Sequence, residues 1–186
     1  MLRKYLVMTI IALVMTMAPA ALAADTPKTY GDAMRWYRAE AEKGYPRAQF
    51  MLGYMYEVGE RIARDFARAR EWYAKAAAQG ETEAQYRLAQ LYFEGLGGDR
   101  DLARAARLYR AAAEAGHVGA QSVLGYLYAL GEGVAADPMA AYLWLSLATD
   151  AGDPFAAENF ARLAERLSAD QIAAGEDKVR RWRASH

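Results

Sequence analysis

Gly44, Gly80, Gly116 and Gly152 stand 36 residues apart, and other columns keep the same step: Ala33, Ala69, Ala105 and Ala141; Ala48, Ala84, Ala120 and Ala156; Trp36, Trp72, Leu108 and Trp144. Gln49, Gln85 and Gln121 fall in phase, as do Tyr37, Tyr73 and Tyr109, Leu52, Leu88 and Leu124, and Tyr56, Tyr92 and Tyr128. A fixed period of this length is the signature of a repeat array. A unit of 36 residues is too small to bury its own apolar face, so it is stable only when stacked on a copy of itself.

Within one unit, Ala69, Trp72, Tyr73, Ala76 and Ala77 recur at three- and four-residue intervals. That spacing predicts an amphipathic helix, here called helix A. Gly80 follows it, where the chain leaves the helix through a left-handed conformation that suits glycine. A second helix, B, carries Ala84, Leu88, Leu91 and Tyr92 on its buried side, with a small residue at Gly53, Ala89 and Gly125 that allows close approach. Thr29, Asp65, Asp101 and Asp137 precede the A helices and read as N-caps, because their side-chain oxygens accept from free first-turn amides. Pro138, at the first helical position, fits the fourth of these starts. Glycines at 59, 95 and 131 form the loops to the next unit. The predicted fold is all-α: a solenoid of about four helix pairs at 29–64, 65–100, 101–136 and 137–167. The fourth unit drifts from the pattern, and Ser168-Ala169-Asp170-Gln171 reads as a capping box opening a C-terminal helix over 168–186. Ile172, Val179 and Trp182 share one side of that helix and suit it to cover the end of the stack.

The first 23 residues read differently. Arg3 and Lys4, a largely apolar run from Tyr5 to Met17, and small residues ending in Ala21-Leu22-Ala23 form the three regions of a secretory signal peptide, with cleavage expected after Ala23. The apolar run is shorter than the roughly 20 residues a membrane span requires. With no cysteine in the chain, neither a lipid-bearing cysteine nor a disulfide is available, and the expected location is periplasmic or secreted. Removing the leader leaves 21 basic against 23 acidic residues, which gives no basic excess for nucleic acid. The mature chain is expected not to span the membrane and to be a monomer.

The run Ala69-Arg70-Glu71-Trp72-Tyr73-Ala74-Lys75-Ala76-Ala77-Ala78-Gln79-Gly80, continuing through Ala84-Gln85-Tyr86-Arg87-Leu88-Ala89-Gln90-Leu91-Tyr92, resembles the Sel1-like repeat, a relative of the tetratricopeptide repeat. The resemblance covers about residues 30–167. Arg61 stands where that pattern has a second loop glycine, and Gly98 where it has a small aliphatic residue. What the resemblance implies is a right-handed α/α superhelix whose inner surface binds protein segments. It also implies, for exported bacterial members, adaptor roles in envelope signalling, envelope assembly or contact with host cells.

Chemistry-bearing clusters are few. His117 and His186 are the only histidines, and Ser122, Ser146, Ser168 and Ser185, the serines beyond the leader, begin no Ser-x-x-Lys pattern. An envelope hydrolase or β-lactam-binding enzyme is therefore the weaker alternative, and neither catalytic residues, metal nor cofactor is assigned. Asp99 and Asp101 lack the alternating ligands of a calcium loop. Function is expected in the variable columns of helix A: Met34, Arg70, Ala106 and Tyr142 in one, Arg38, Ala74, Arg110 and Ser146 in the other. Arginine and tyrosine are enriched at binding hot spots. Arg38, Arg70, Arg110 and Tyr142, followed by Tyr54 and Tyr126 on helix B, are the candidate groove residues for a protein partner. The expected role is a non-catalytic adaptor; a secreted host-interaction factor of the same fold is the alternative.

Overall fold

A column of N-cap residues 36 apart demands a helix start at each, and the computed structural model has one at all four. The structure describes residues 29–186, so the leader expected at 1–23 lies outside the described residues. Nine helices and no strand occur among them: α1 Tyr30–Glu42, α2 Pro46–Val58, α3 Phe66–Ala77, α4 Thr82–Glu94, α5 Leu102–Glu114, α6 Val118–Leu130, α7 Pro138–Asp150, α8 Pro154–Ala164 and α9 Ala169–Ser185. The chain divides into two units at Trp36/Tyr37. In the described part of the first, Thr29 Oγ1 accepts from the Asp32 amide at 3.1 Å, and Asp32 accepts in return from the Thr29 amide at 3.2 Å. The second unit, Tyr37–His186, contains the stack.

Asp65 accepts from the Arg68 amide at 3.0 Å, Asp101 from the Arg104 amide at 2.8 Å, and Asp137 from the Met139 and Ala140 amides, both at 3.0 Å. The backbone amide of each cap in turn donates to a tyrosine carbonyl at the end of the preceding B helix: Asp65 to Tyr56, Asp101 to Tyr92, Asp137 to Tyr128. The loop between units is thereby fixed at both ends. The glutamine column has an equally local cause. Gln49, Gln85 and Gln121 each donate their side-chain amide to a carbonyl eight residues earlier, those of Ala41, Ala77 and Ala113, at 3.1, 3.3 and 3.2 Å. Each of these carbonyls, at the end of helix A, also accepts from the turn glycine amide three residues on, so the glutamine adds a second bond that ties helix B to the turn.

Small residues on helix B admit a side chain of the next unit. A Cβ on Gly53 would lie 2.7 Å from the Tyr73 ring, and one on Gly125 would lie 2.7 Å from Leu145 Cγ. The close approach expected at this column is therefore made by a residue of the following A helix, and α2, α4 and α6 pack most extensively on α3, α5 and α7. Tyr73, Tyr109 and Leu145 are fully buried in those seams. The result is a superhelical stack of helix pairs in which each unit shelters the apolar side of its neighbour.

The terminal helix departs from this order. Its capping box forms as expected, with the Gln171 amide donating to Ser168 and the Ser168 amide to Gln171. It then lies on α7 and not on the outer side of α8, which keeps Phe155, Glu158 and Arg162 exposed. Gly175 sits on the Tyr142 ring, where a Cβ would approach to 2.5 Å, and the Trp182 ring meets Trp144 edge-on at 4.8 Å. An ion pair joins Arg183 to Asp150.

Candidate functional site

The tyrosine column at 56, 92 and 128 reads as core in the sequence, yet its hydroxyls reach arginines. Arg38 donates to the Tyr56 hydroxyl at 3.1 Å, and Arg68 reaches the same oxygen at 3.5 Å. Arg104 donates to the Tyr92 hydroxyl at 2.9 Å, while the Arg70 guanidinium lies 3.9 Å from the centre of the Tyr92 ring. Arg110 donates to the Tyr128 hydroxyl. The rings are anchored by the backbone bonds of the Asp65, Asp101 and Asp137 caps, so each holds its arginines at a fixed height along the stack. A guanidinium has five donors in a rigid fork, and one bond to a phenol leaves most of them for a ligand.

Arg38, Arg70 and Arg110 thus share one kind of setting: the A-helix face beside the tyrosine column. Arg70 also donates to the Asp99 carbonyl at 3.1 Å, passing over Gly98, where a Cβ would lie 2.3 Å from its Nη1. The unusual Gly98 therefore makes room for this arginine. Together with Tyr92, Arg104, Glu71, Asp99 and Asp101, Arg70 lines a cleft of about 430 Å³.

Tyr142 does not join them. It is buried beneath α9, 7% exposed, with Phe160 edge-on at 4.8 Å. The expectation that it lines an open surface is corrected, because the terminal helix covers that turn of α7. Tyr54 and Tyr126 lie on the other side of helix B, since Tyr54 is two residues from Tyr56 and residues two apart point about 200° apart on a helix. Arg87 lies 5.9 Å from the Tyr54 ring centre, and Tyr126 packs against the exposed Phe155 at 5.5 Å.

That second side carries a polar chain across the units. Tyr73 donates to Glu57 at 2.5 Å, and Arg87 bridges Glu57 and Glu83 at 3.5 and 3.0 Å. Glu83 lies 3.2 Å from His117 Nε2. Burial and the neighbouring Glu57 carboxylate hold the Tyr73 phenol well above its usual value. The Glu83 carboxyl is held down to about 2, chiefly by its hydrogen bond with His117 and, against the cost of burial, by Arg87. His117 is a structural residue: its Nδ1 accepts from the Ala120 amide at 3.1 Å, capping α6, and its ring stacks on Tyr86 at 4.2 Å. With Nδ1 accepting, Nε2 carries the proton that faces Glu83. No group of three or more His, Asp or Glu side chains suited to a metal occurs among the described residues.

Arg68 and Arg104 belong to the tyrosine face but not to the candidates drawn from the sequence. Their common column, three residues after each cap and ending in Ala140, was a visible signal.

The Sel1 repeat model matches residues 46–81, 82–117 and 118–153, more than half of the chain. The chain belongs to the Sel1 repeat family. The matched frames open on helix B, half a unit out of phase with the A–B pairs, and so group each B helix with the A helix on which it packs most extensively. The fold is similar to that of a protective antigen of uropathogenic Escherichia coli described as displaying an SLR fold (33% identity, TM-score 0.74, covering 86% of this chain and 34% of that one). It is also similar to a Sel1 repeat protein from Oxalobacter formigenes (36% identity, TM-score 0.65, covering 69% of this chain and 53% of that one). Helicobacter pylori cysteine-rich protein B shares the fold at 20% identity, with a TM-score of 0.52, over 70% of this chain and 97% of its own. The chain spans about a third and about half of the first two proteins. No curated protein matches it. Sel1 repeats are protein-binding modules, and no helix among the described residues is long and apolar enough to cross a membrane.

Proposed function

We propose that this Sel1 repeat chain is a non-catalytic scaffold of the bacterial envelope, exported by its leader and acting in the periplasm or outside the cell as a monomer. It captures a segment of a partner protein along the A-helix face. The observation that carries the reading is the arginine column itself: Arg38, Arg70 and Arg110 are held by tyrosine rings that the fold fixes in place, so little rotamer freedom is lost on binding. Tyr54 and Tyr126 flank the stack on its other side, where Tyr126 and Phe155 offer an aromatic contact.

The test is crosslinked capture from an envelope extract with the wild-type protein and with a variant carrying Arg38→Ala, Arg70→Ala and Arg110→Ala. All three side chains are at least partly exposed, so helical circular dichroism should be retained while capture falls. Unchanged capture rejects the face. N-terminal sequencing of exported protein should begin at Ala24, and light scattering should give a monomer mass. The likeness to a protective antigen of uropathogenic Escherichia coli favours a second reading, in which the partner belongs to a host.

A further inference from the structure

The A-helix face is not uniform along the stack. At its C-terminal end α5, α6, α7 and α9 enclose a cleft of about 470 Å³ whose chemistry differs from the rest. One side is apolar: Leu143 and Trp144, both almost fully buried, and the half-buried Trp182, edge-on to Trp144 and with the His186 ring stacked on it at 3.7 Å. The other side is cationic. Arg110 approaches from α5, its hydrogen bond going to the neutral Tyr128 hydroxyl, and Lys178 approaches from α9.

Bonding around the cleft decides which charges are already satisfied. Arg181 is paired with Asp177. Asp137 is committed to the Met139 and Ala140 amides, at a helix N-terminus whose partial positive charge suits a carboxylate. Neither Arg110 nor Lys178 has an ion pair among the described residues, and the remaining acid, Glu114, is exposed and likewise unpaired. The cleft therefore holds two uncompensated cations against a single solvated carboxylate, beside an indole wall.

We infer that this cleft binds an acidic segment of the partner, whose carboxylates meet Arg110 and Lys178 while an aromatic side chain beside them lies against Trp182. The inference rests on the scaffold reading and specifies the partner chemistry at one end of it. An uncharged segment would cover Arg110 and Lys178 without replacing their water, and a basic one would add like-charge repulsion; both discriminate in favour of acid. The part of Trp182 left uncovered by Trp144 and His186 supplies apolar area for an aromatic ring. Ion pairs at the mouth of a cleft are screened by salt, which gives the proposal a second signature.

The experiment is fluorescence anisotropy with the purified protein and two labelled peptides, Gly-Ser-Asp-Phe-Glu-Gly-Ser and its amide counterpart Gly-Ser-Asn-Phe-Gln-Gly-Ser. The acidic peptide should bind about tenfold more tightly at low salt, and the margin should shrink as salt is raised. Replacing Arg110→Gln and Lys178→Gln together should erase the margin with helical circular dichroism intact, while Arg162→Gln, remote on α8, should leave it unchanged. Equal binding of the two peptides, binding of neither, or a margin that survives the double substitution overturns the acidic class. Failure here leaves the scaffold reading to the capture experiment: a partner still captured, and lost with Arg38→Ala, Arg70→Ala and Arg110→Ala, keeps the scaffold and discards only its acidic preference.

Discussion

Among the described carboxylates, Glu83 is the one whose titration the fold shifts most strongly. Its carboxyl titrates at about 2 in the native state against an ordinary 4.5, so the carboxylate stabilises the fold fully above about pH 4.5 and loses that contribution as pH falls towards 2. The side chain is about one-third exposed, and solvent screening reduces the effect to about 1–2 kcal/mol. Urea unfolding at pH 6, 4.5 and 3 should show a steeper loss for the wild type than for Glu83→Gln; parallel curves would remove this role. His117→Ala should cost about 1–2 kcal/mol through the lost cap of α6 and the lost stack on Tyr86, and His117→Asn, which can still cap, should recover part of it in thermal unfolding. The sequence marks His117 only as a variable position in a turn. Its work depends on a partner 34 residues away, and no local pattern names that partner.

Among the elements, α1 to α8 were legible because each apolar stripe, cap and glycine recurs in register, so four noisy copies reinforce one reading. The terminal helix was legible in existence and length but not in placement. An amphipathic stripe says that one side is covered, and Ile172, Val179 and Trp182 fit α7 as well as α8. Tyr142 was misplaced for the same reason: a helix without a repeat signature lies across it. Gly175 is the trace of that contact. Gly175→Ala should gain about 1 kcal/mol of helix propensity and still destabilise the protein, because the new Cβ meets the Tyr142 ring. Combining it with Tyr142→Ala should cost less than the two single losses added together, a coupling read from a double-mutant cycle in denaturant. Additive effects would mean that the ring and the glycine do not share one site.

For the whole molecule, stability belongs to the seams between units, and those at the far end depend on α9. A chain ending at residue 168 should keep most of its helical circular dichroism yet uncover Tyr142 and Trp144, with tryptophan emission moving to longer wavelength and unfolding beginning at lower denaturant. Unaltered emission would show that Trp144 is sheltered by something other than α9. The arginine face was only half visible for a related reason. Its arginine columns stand in the sequence, but the tyrosines beside them look like ordinary core, and only the fold shows their hydroxyls emerging on the same side.

The crossing of α9 onto α7 also bears on how such a protein lengthens. A copied unit placed after residue 164 would separate α9 along the chain from Tyr142, Trp144 and Asp150, to which it is tied. A copy inserted among the interior pairs meets a seam like the one it came from. Growth is thus directed to the middle of the array, and the last pair with its overlying helix travels as a fixed terminus, carrying the Trp144–Trp182 cleft with it.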